Sequence, residues 1–363
     1  MDIVPDRVRD QMIALSLLPS LSPSRTRKLL ENFDPLDRLD HAAPEEISAL
    51  LHVDQACARE LLSAFQSATH SGVVAALRDS VITLADKEYP ALLREIPDPP
   101  LTLNVVGDRT LLATRAIAIV GSRRASPYAL NVAARLTEEL ARAGVTIVSG
   151  LARGVDAAAH QEALDTFGRT IAVIGTGIDL IYPRSHRQLS RQIEERGLIV
   201  SEFPAGTPPL PSNFPIRNRI ISGLTLGTLI IEATGRSGSL ITARMASEQG
   251  REVFAVPGSI FSGGSEGVHR LIQSGAKLVH DVEDIFEELP QLRKEQVTRV
   301  PRTRLEPELQ RLLELIRCDE PVGADAIATK LNVPVNELAE TLLTLEVRGL
   351  VMVLPGARYL RRA

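Results

Sequence analysis

Phe214, Arg217 and Arg219 have the most to offer chemically, in the run Phe214-Pro215-Ile216-Arg217-Asn218-Arg219-Ile220-Ile221-Ser222-Gly223 entered through Pro208, Pro209 and Pro211. An exposed aromatic ring beside two arginines at i and i+2 supplies one stacking face and two phosphate donors, as a single-stranded nucleic-acid site requires. The same residues admit a structural reading, with Phe214 in the core and both guanidinium groups solvated. A second loop, Gly235-Arg236-Ser237-Gly238-Ser239, adds a cation and two hydroxyls at a helix start and tilts the balance toward binding. Three further loops are rich in glycine, serine and arginine: Gly121-Ser122-Arg123-Arg124-Ala125-Ser126-Pro127, Gly150-Leu151-Ala152-Arg153-Gly154 and Gly175-Thr176-Gly177. Glycine lets backbone amides approach an anion, a helix N-terminus adds partial positive charge, and arginine clamps phosphate oxygens. Together the loops are expected to form a phosphate-binding rim.

Ordinary nucleotide motifs are missing. Gly175-Thr176-Gly177-Ile178-Asp179-Leu180 lacks the third glycine of a dinucleotide fingerprint, and no glycine precedes Lys and then Ser or Thr as in a P-loop. No serine sits in a G-x-S-x-G elbow, and neither Cys57 nor Cys318 has a neighbouring histidine. Asp156 and His160 share one helix face without a third ligand, a surface or packing contact rather than a metal site. Glu232 ends a strand beside the arginine loops, either as a base or as the partner of an arginine. The reading is therefore of a binding protein, not an enzyme, with no cofactor and no metal.

These loops need elements to hold them. Between about 101 and 290, short apolar runs alternate with helical stretches of ten or more residues. The runs Ala116 to Val120, Val145 to Ser149, Thr170 to Ile174, Leu198 to Ser201, Thr228 to Glu232 and Glu252 to Ala255 read as strands. The stretches Tyr128 to Ala143, Val155 to Phe167, Ser185 to Arg196 and Leu240 to Gly250 read as helices. Apolar strands each followed by a helix indicate a doubly wound, mostly parallel α/β sheet, whose ligands bind at the carboxyl ends of the strands. Residues 1 to 80 carry helical periodicity, and Leu18, Arg27, Leu29, Leu30 and Phe33 recur 32 positions later as Leu50, Arg59, Leu61, Leu62 and Phe65, suggesting two helical hairpins. Residues 81 to 290 form the α/β domain, 291 to 307 a charged linker, and 308 to 363 a winged helix in the order helix, helix, turn, helix, hairpin.

At 44% apolar and 24% charged, the 363-residue chain has the composition of a globular protein. A net charge of −4 provides no global field for a polyanion, so any nucleic acid must be held by a local patch. Two cysteines with no metal or redox spacing imply small buried thiols in a reducing, cytoplasmic setting, and no apolar run approaches the length of a membrane span.

The strings Ile119-Val120-Gly121-Ser122-Arg123, Ser149-Gly150-Leu151-Ala152-Arg153-Gly154-Val155-Asp156-Ala157-Ala158-Ala159-His160, Phe214-Pro215 with Arg217-Asn218-Arg219, Arg236-Ser237-Gly238-Ser239-Leu240 and Val253-Phe254-Ala255-Val256-Pro257-Gly258 resemble, in order and spacing, the DNA-processing protein A family, also called Smf. The resemblance implies an extended Rossmann-like fold and a non-enzymatic protein that binds incoming single-stranded DNA during natural transformation, protects it and loads the RecA recombinase. It further implies a homodimer through the α/β domain. By motif position, Gly121, Ser122 and Arg123 would hold phosphate, Arg217 and Arg219 would line the same groove, and Phe214 would stack on a base.

Three features depart from the family pattern. Thr207 to Asn213 contains no basic residue where relatives place one before the Phe-Pro pair, which removes one expected phosphate contact. The N-terminal module, expected to resemble a sterile-alpha-motif or helix-hairpin-helix unit, has Ser20-Leu21-Ser22 in place of a Gly-hydrophobic-Gly turn, so weak or absent DNA binding is expected there. The winged helix presents Glu337, Glu340 and Glu346 against a single Arg348 on its recognition helix, a pattern suited to protein contact rather than a phosphate backbone. Two competing readings are a nucleotide phosphoribohydrolase of the lysine-decarboxylase-like fold, for which Gly223 to Glu232 faintly matches the motif, and a winged-helix regulator, which the acidic helix disfavours.

Overall fold

Apolar residues at helical spacing build the amino-terminal unit of the computed structural model, which describes residues 6–18, 21–33, 36–166, 168–293 and 305–362. Its helices are α1 (Asp6–Ser16), α2 (Pro23–Asn32), α3 (Pro44–Leu51), α4 (Gln55–Thr69) and α5 (Gly72–Leu77). Prolines open α2 and α3, where a missing N–H leaves no bond unmade. Ser22 and Asp54 cap α2 and α4 by accepting the amides of Arg25 and Cys57. The 32-residue repeat places α2 in correspondence with α4, and Leu29, Phe33, Leu61 and Phe65 all enter one buried cluster. The turn expected to contain Ser20 lies partly outside the described residues.

The sheet follows with β1 (Val81–Thr83), α6 (Ala91–Arg94), β2 (Thr102–Gly107), β3 (Ala116–Val120), α7 (Pro127–Arg142), β4 (Thr146–Ser149), α8 (Val155–Thr166), β5 (Thr170–Val173), α9 (Arg187–Arg196) and β6 (Leu198–Ser201). It continues through α10 (Asn213–Gly223), β7 (Gly227–Ile230), α11 (Gly238–Glu248), β8 (Glu252–Ala255), α12 (Glu266–Gln273), β9 (Lys277–Leu278) and α13 (Val282–Glu288). The nine strands lie in the order β1-β2-β6-β5-β4-β3-β7-β8-β9, parallel from β6 to β9 with β1 and β2 antiparallel at one edge. The expected strands are β3 to β8. The two to six residues of β1, β2 and β9 offer too little periodicity to stand out, and β2 follows the proline run closely.

Burial on both faces explains the apolar strands. In β3, Ile117 and Ile119 enter one core with α7, α8 and α13, whereas Ala116, Ala118 and Val120 enter the opposite core with α10, α11 and α12. The chain winds from β3 out to β6, then returns to start β7 on the other side of β3 and continues to β9. The loops after β3 and β7 therefore diverge and leave a crevice at the carboxyl edge.

The carboxyl-terminal unit comprises α14 (Pro307–Leu315), β10 (Val322–Gly323), α15 (Ala324–Leu331), α16 (Val335–Val347), β11 (Val351–Leu354) and β12 (Arg358–Arg361) around its own core. Asn332 ends α15 in a left-handed conformation, with φ of 56°, before the break at Pro334. Glu337, Glu340 and Glu346 on α16 are all exposed, as are Leu343 and Val347. Most of the linker expected at 291 to 307, namely 294–304, lies outside the described residues, as does Phe167 at the expected end of α8. Among the described residues, no helix is long and apolar enough to cross a membrane.

Candidate nucleic-acid interface

The segment from Phe214 to Gly223, expected to be a loop, is helix α10. Residues two apart on a helix point to nearly opposite sides, so Arg217 and Arg219 diverge and do not line one groove together. Arg217 is buried, with Nη1 donating to the carbonyl oxygens of Gly150, at 2.9 Å, and Val173. Burial pushes its pKa down to about 10, and Arg123 adds to this while Asp156 opposes it. Arg219 is also buried, on the other side of α10, where its two Nη atoms meet both oxygens of Glu202 at 2.7 and 2.6 Å and Nε reaches Asp98 Oδ2 at 3.1 Å. Burial alone would lower its pKa, but these two carboxylates raise it. The expectation that both arginines donate to phosphate is therefore corrected. One braces the ends of β4 and β5, and the other ties α10 to the loops after β6 and α6.

Phe214, in the first turn of α10, is half-buried over Gly175, where a Cβ would come within 2.9 Å of the ring. Tyr182 lies beside it with ring centroids 5.5 Å apart, and the Arg123 guanidinium sits over it at 5.5 Å. Asn218 joins the brace, its Oδ1 accepting from Arg217 Nε at 3.3 Å.

The glycine loops do not offer the expected cradle of free amides. Gly150 N donates to Asp156 Oδ2 at 3.1 Å, Gly177 N to Thr207 O at 2.9 Å, and Ser126 N to Glu232 at 3.2 Å. These glycines are needed for close approach: a Cβ on Gly121 would stand 2.6 Å from Val155, and one on Gly150 would stand 2.7 Å from the Arg217 guanidinium. Gly154, with φ of +79°, lies so close to the Ser122 carbonyl that a side chain would collide with it. Ser122 and Ser126 are engaged locally, since Ser122 Oγ accepts from Arg124 N and Ser126 caps α7 while its hydroxyl donates to Glu232 Oε2 at 2.5 Å. Glu232, read from sequence as either a base or the partner of an arginine, thus meets a serine. Ser237 and Ser239 share a hydroxyl contact of 2.7 Å at the start of α11, and Ser239 is buried.

The pair expected as a surface or packing contact is fully internal. Asp156 accepts from Gly150 N and Ala152 N, and burial raises its pKa. His160 Nε2 accepts from Leu151 N at 3.3 Å, and its Nδ1 lies 2.7 Å from Thr170 Oγ1, which itself donates to Ile147 O. Burial, with Arg217 and His186 adding to it, pushes the His160 pKa down to about 3. A neutral ring protonated on Nδ1 satisfies both contacts, so this histidine holds the 150–154 loop. The thiols of Cys57 and Cys318 are free and half-buried, not fully buried as expected. Among the described residues, no cluster of three or more His, Cys, Asp or Glu side chains could hold a metal ion.

The rim instead draws its charge from side chains. Arg123, Arg124, Arg153, Arg184 and Arg236 on the loops that follow β3, β4, β5 and β7, and Arg187 at the start of α9, are exposed, and none has a carboxylate partner among the described residues. Arg78, Arg135, Arg142, Arg244 and Arg270 are paired with carboxylates, whereas Arg38, Arg59, Arg191 and Arg311, away from the rim, are exposed with no carboxylate partner among the described residues. Six exposed cations thus meet at the carboxyl edge of a chain whose net charge is −4. Tyr182, Arg184 and Arg187 belong to none of the motifs in the sequence; their position between Gly177 and the first turn of α9 was the available signal.

Comparison with known proteins agrees with this architecture. Residues 80–290 match the family model of DNA recombination-mediator protein A, and residues 297–357 match the DprA winged helix domain. Protein Smf of Escherichia coli strain K12 is 46% identical over 289 residues, covering 77% of each chain. The X-ray structure of Streptococcus pneumoniae DNA processing protein A superposes with a TM-score of 0.68 at 38% identity, covering 79% of this chain and 99% of that one. DNA processing protein A of Helicobacter pylori, whose structure was described for its single-stranded DNA binding mode, gives a TM-score of 0.54 at 32% identity, covering 59% of this chain and 97% of that one.

Proposed function

Because the chain belongs to the DNA recombination-mediator protein A family, we propose that it binds single-stranded DNA along the arginine-rich carboxyl edge of its sheet and delivers it to recombination. The observation that carries this reading is Phe214, half-buried between Tyr182 and Arg123, a cation with no carboxylate partner among the described residues, on the sheet edge that also carries the other exposed arginines. Stacking a base on Phe214 competes with the guanidinium above the ring. An exposed cation–π contact is worth about 0.5–1 kcal/mol, whereas a stacked base is worth about 1–3 kcal/mol. Exchange therefore favours the base and releases Arg123 to a phosphate.

In this proposal the protein is not an enzyme. It protects the strand in the cytoplasm, acts as a homodimer through the α/β domain, and loads RecA recombinase during natural transformation. The resemblance of its motifs to the family supports these finer points. The competing hydrolase reading needs Glu232 as a base, but that carboxylate is committed to Ser126. Fluorescence anisotropy with labelled single-stranded and duplex oligonucleotides, using wild type and Phe214→Ala, tests the proposal. The expected result is single-strand preference, with about 1–3 kcal/mol lost in the variant. Equal affinity for duplex, or an unaffected variant, would overturn it.

A further inference from the structure

Ile260 and Phe261 are 81% and 94% exposed, more than any other large apolar side chain among the described residues. They occupy the loop between β8 and α12. Because β8 runs parallel to β7, this loop leaves the sheet at the same carboxyl edge as the arginine loops. Tyr128 Oη donates to Pro257 O at 2.8 Å, and a Cβ on Gly264 would lie 3.2 Å from the Glu232 carboxylate that holds Ser126. Within the loop, Ser259 Oγ accepts from Phe261 N and Ser262 Oγ from Gly264 N, both at 3.2 Å. Successive turns thus hold the backbone while the Phe261 ring stands outside them.

The surroundings of that ring indicate what covers it. Arg236, Arg124 and Arg123 lie on the loops between it and Phe214, all exposed and, among the described residues, without carboxylate partners. Glu232, just past the end of the neighbouring strand β7, and Glu266, which opens α12, are engaged with Ser126 and Arg270. A Cβ on Gly238 or Gly263 would meet nothing within 4 Å, so the surface is open there. Resting on the single-stranded DNA reading above, we propose that Phe261 is a second base-stacking platform and that the strand crosses the whole carboxyl edge from Phe214 to Phe261. Its phosphates lie along Arg123, Arg124 and Arg236. Four strand spacings of about 4.8 Å separate the loops after β5 and β8, so the track is about 19 Å long and holds several nucleotides.

The chain contains no tryptophan, so Phe261→Trp and Phe214→Trp each install a single reporter in the full chain. Titration with oligothymidylates of increasing length should quench the Phe214→Trp protein at every length that binds. The Phe261→Trp protein should be quenched only once the oligonucleotide is long enough to span the edge. Phe261→Ala should weaken binding of long oligonucleotides by about 5- to 150-fold with an unchanged salt slope, and leave short ones unaffected. Quenching at position 214 without quenching at 261 at any length, or unchanged affinity of Phe261→Ala for long strands, would overturn the inference and leave the binding reading intact. Quenching at neither position would overturn both. Emission from Phe261→Trp that depends on protein concentration before DNA is added would assign the ring to a contact between copies of the chain and overturn the inference.

Discussion

His160 should make the α/β domain acid-sensitive. Its pKa is pushed from an ordinary 6.5 down to about 3, first by burial and then by Arg217 and His186. The unfolded chain takes up a proton near pH 6.5, whereas the folded chain resists until about pH 3. Stability is therefore complete above pH 7 and is lost as pH falls through this window. At about 1.36 kcal/mol per pH unit, the loss reaches about 3 kcal/mol by pH 4 and approaches about 5 kcal/mol near pH 3. Asp156, whose pKa is raised by burial, works in the opposite sense, because its folded carboxyl binds a proton more readily than the unfolded one. His160→Gln retains an acceptor for Leu151 N and a donor for Thr170 but cannot titrate. Hydrogen exchange read by mass spectrometry on peptides spanning 146–164, corrected for intrinsic pH dependence, gives the opening free energy of wild type and variant at pH 7 and pH 4. The wild type should lose about 3 kcal/mol more than the variant. Parallel profiles for the two proteins would refute the assignment of a neutral, buried imidazole.

Arg123→Ala should lower the slope of log K against log salt for single-stranded DNA by about 0.7 for the phosphate contact removed. Arg217→Ala should leave that slope unchanged while lowering the thermal midpoint, because its donors go to the Gly150 and Val173 carbonyls; salt-titrated anisotropy and calorimetry separate the two. Arg219→Ala leaves Glu202 unpaired in a buried site and should destabilise the fold by about 3–5 kcal/mol in denaturant titration. Removing the chain after residue 300 should leave single-strand affinity nearly unchanged, since α16 presents Glu337, Glu340 and Glu346 to solvent. A large loss of affinity in anisotropy would show that the winged helix contributes to binding.

Periodicity and loop composition were enough to locate β3 to β8, the helices between them other than α10, the winged helix, and the carboxyl edge where glycine and arginine loops converge. Such features depend on neighbours close in sequence: a strand buried on both faces must be apolar throughout, and a turn before a helix must carry glycine or a capping hydroxyl. β1, β2 and β9 escaped, because β1 and β9 are too short to carry a period and β2 follows the proline run closely. What each arginine does was decided only by tertiary packing. Arg123, Arg217 and Arg219 have the same chemistry in sequence, yet the helical twist of α10 sends Arg217 to the carbonyls of β4 and β5 and Arg219 to Glu202, leaving Arg123 at the rim. The glycines followed the same rule, since Gly121 and Gly150 admit Val155 and Arg217 rather than an anion. Phe261 shows the converse. Nothing in its local sequence marks it as exposed, and only the parallel pairing of β8 with β7 brings it to the edge that Phe214 shares. Local sequence sets which conformation a segment adopts, but burial and partner choice depend on residues far away in the chain, and those contacts exist only once the sheet has assembled.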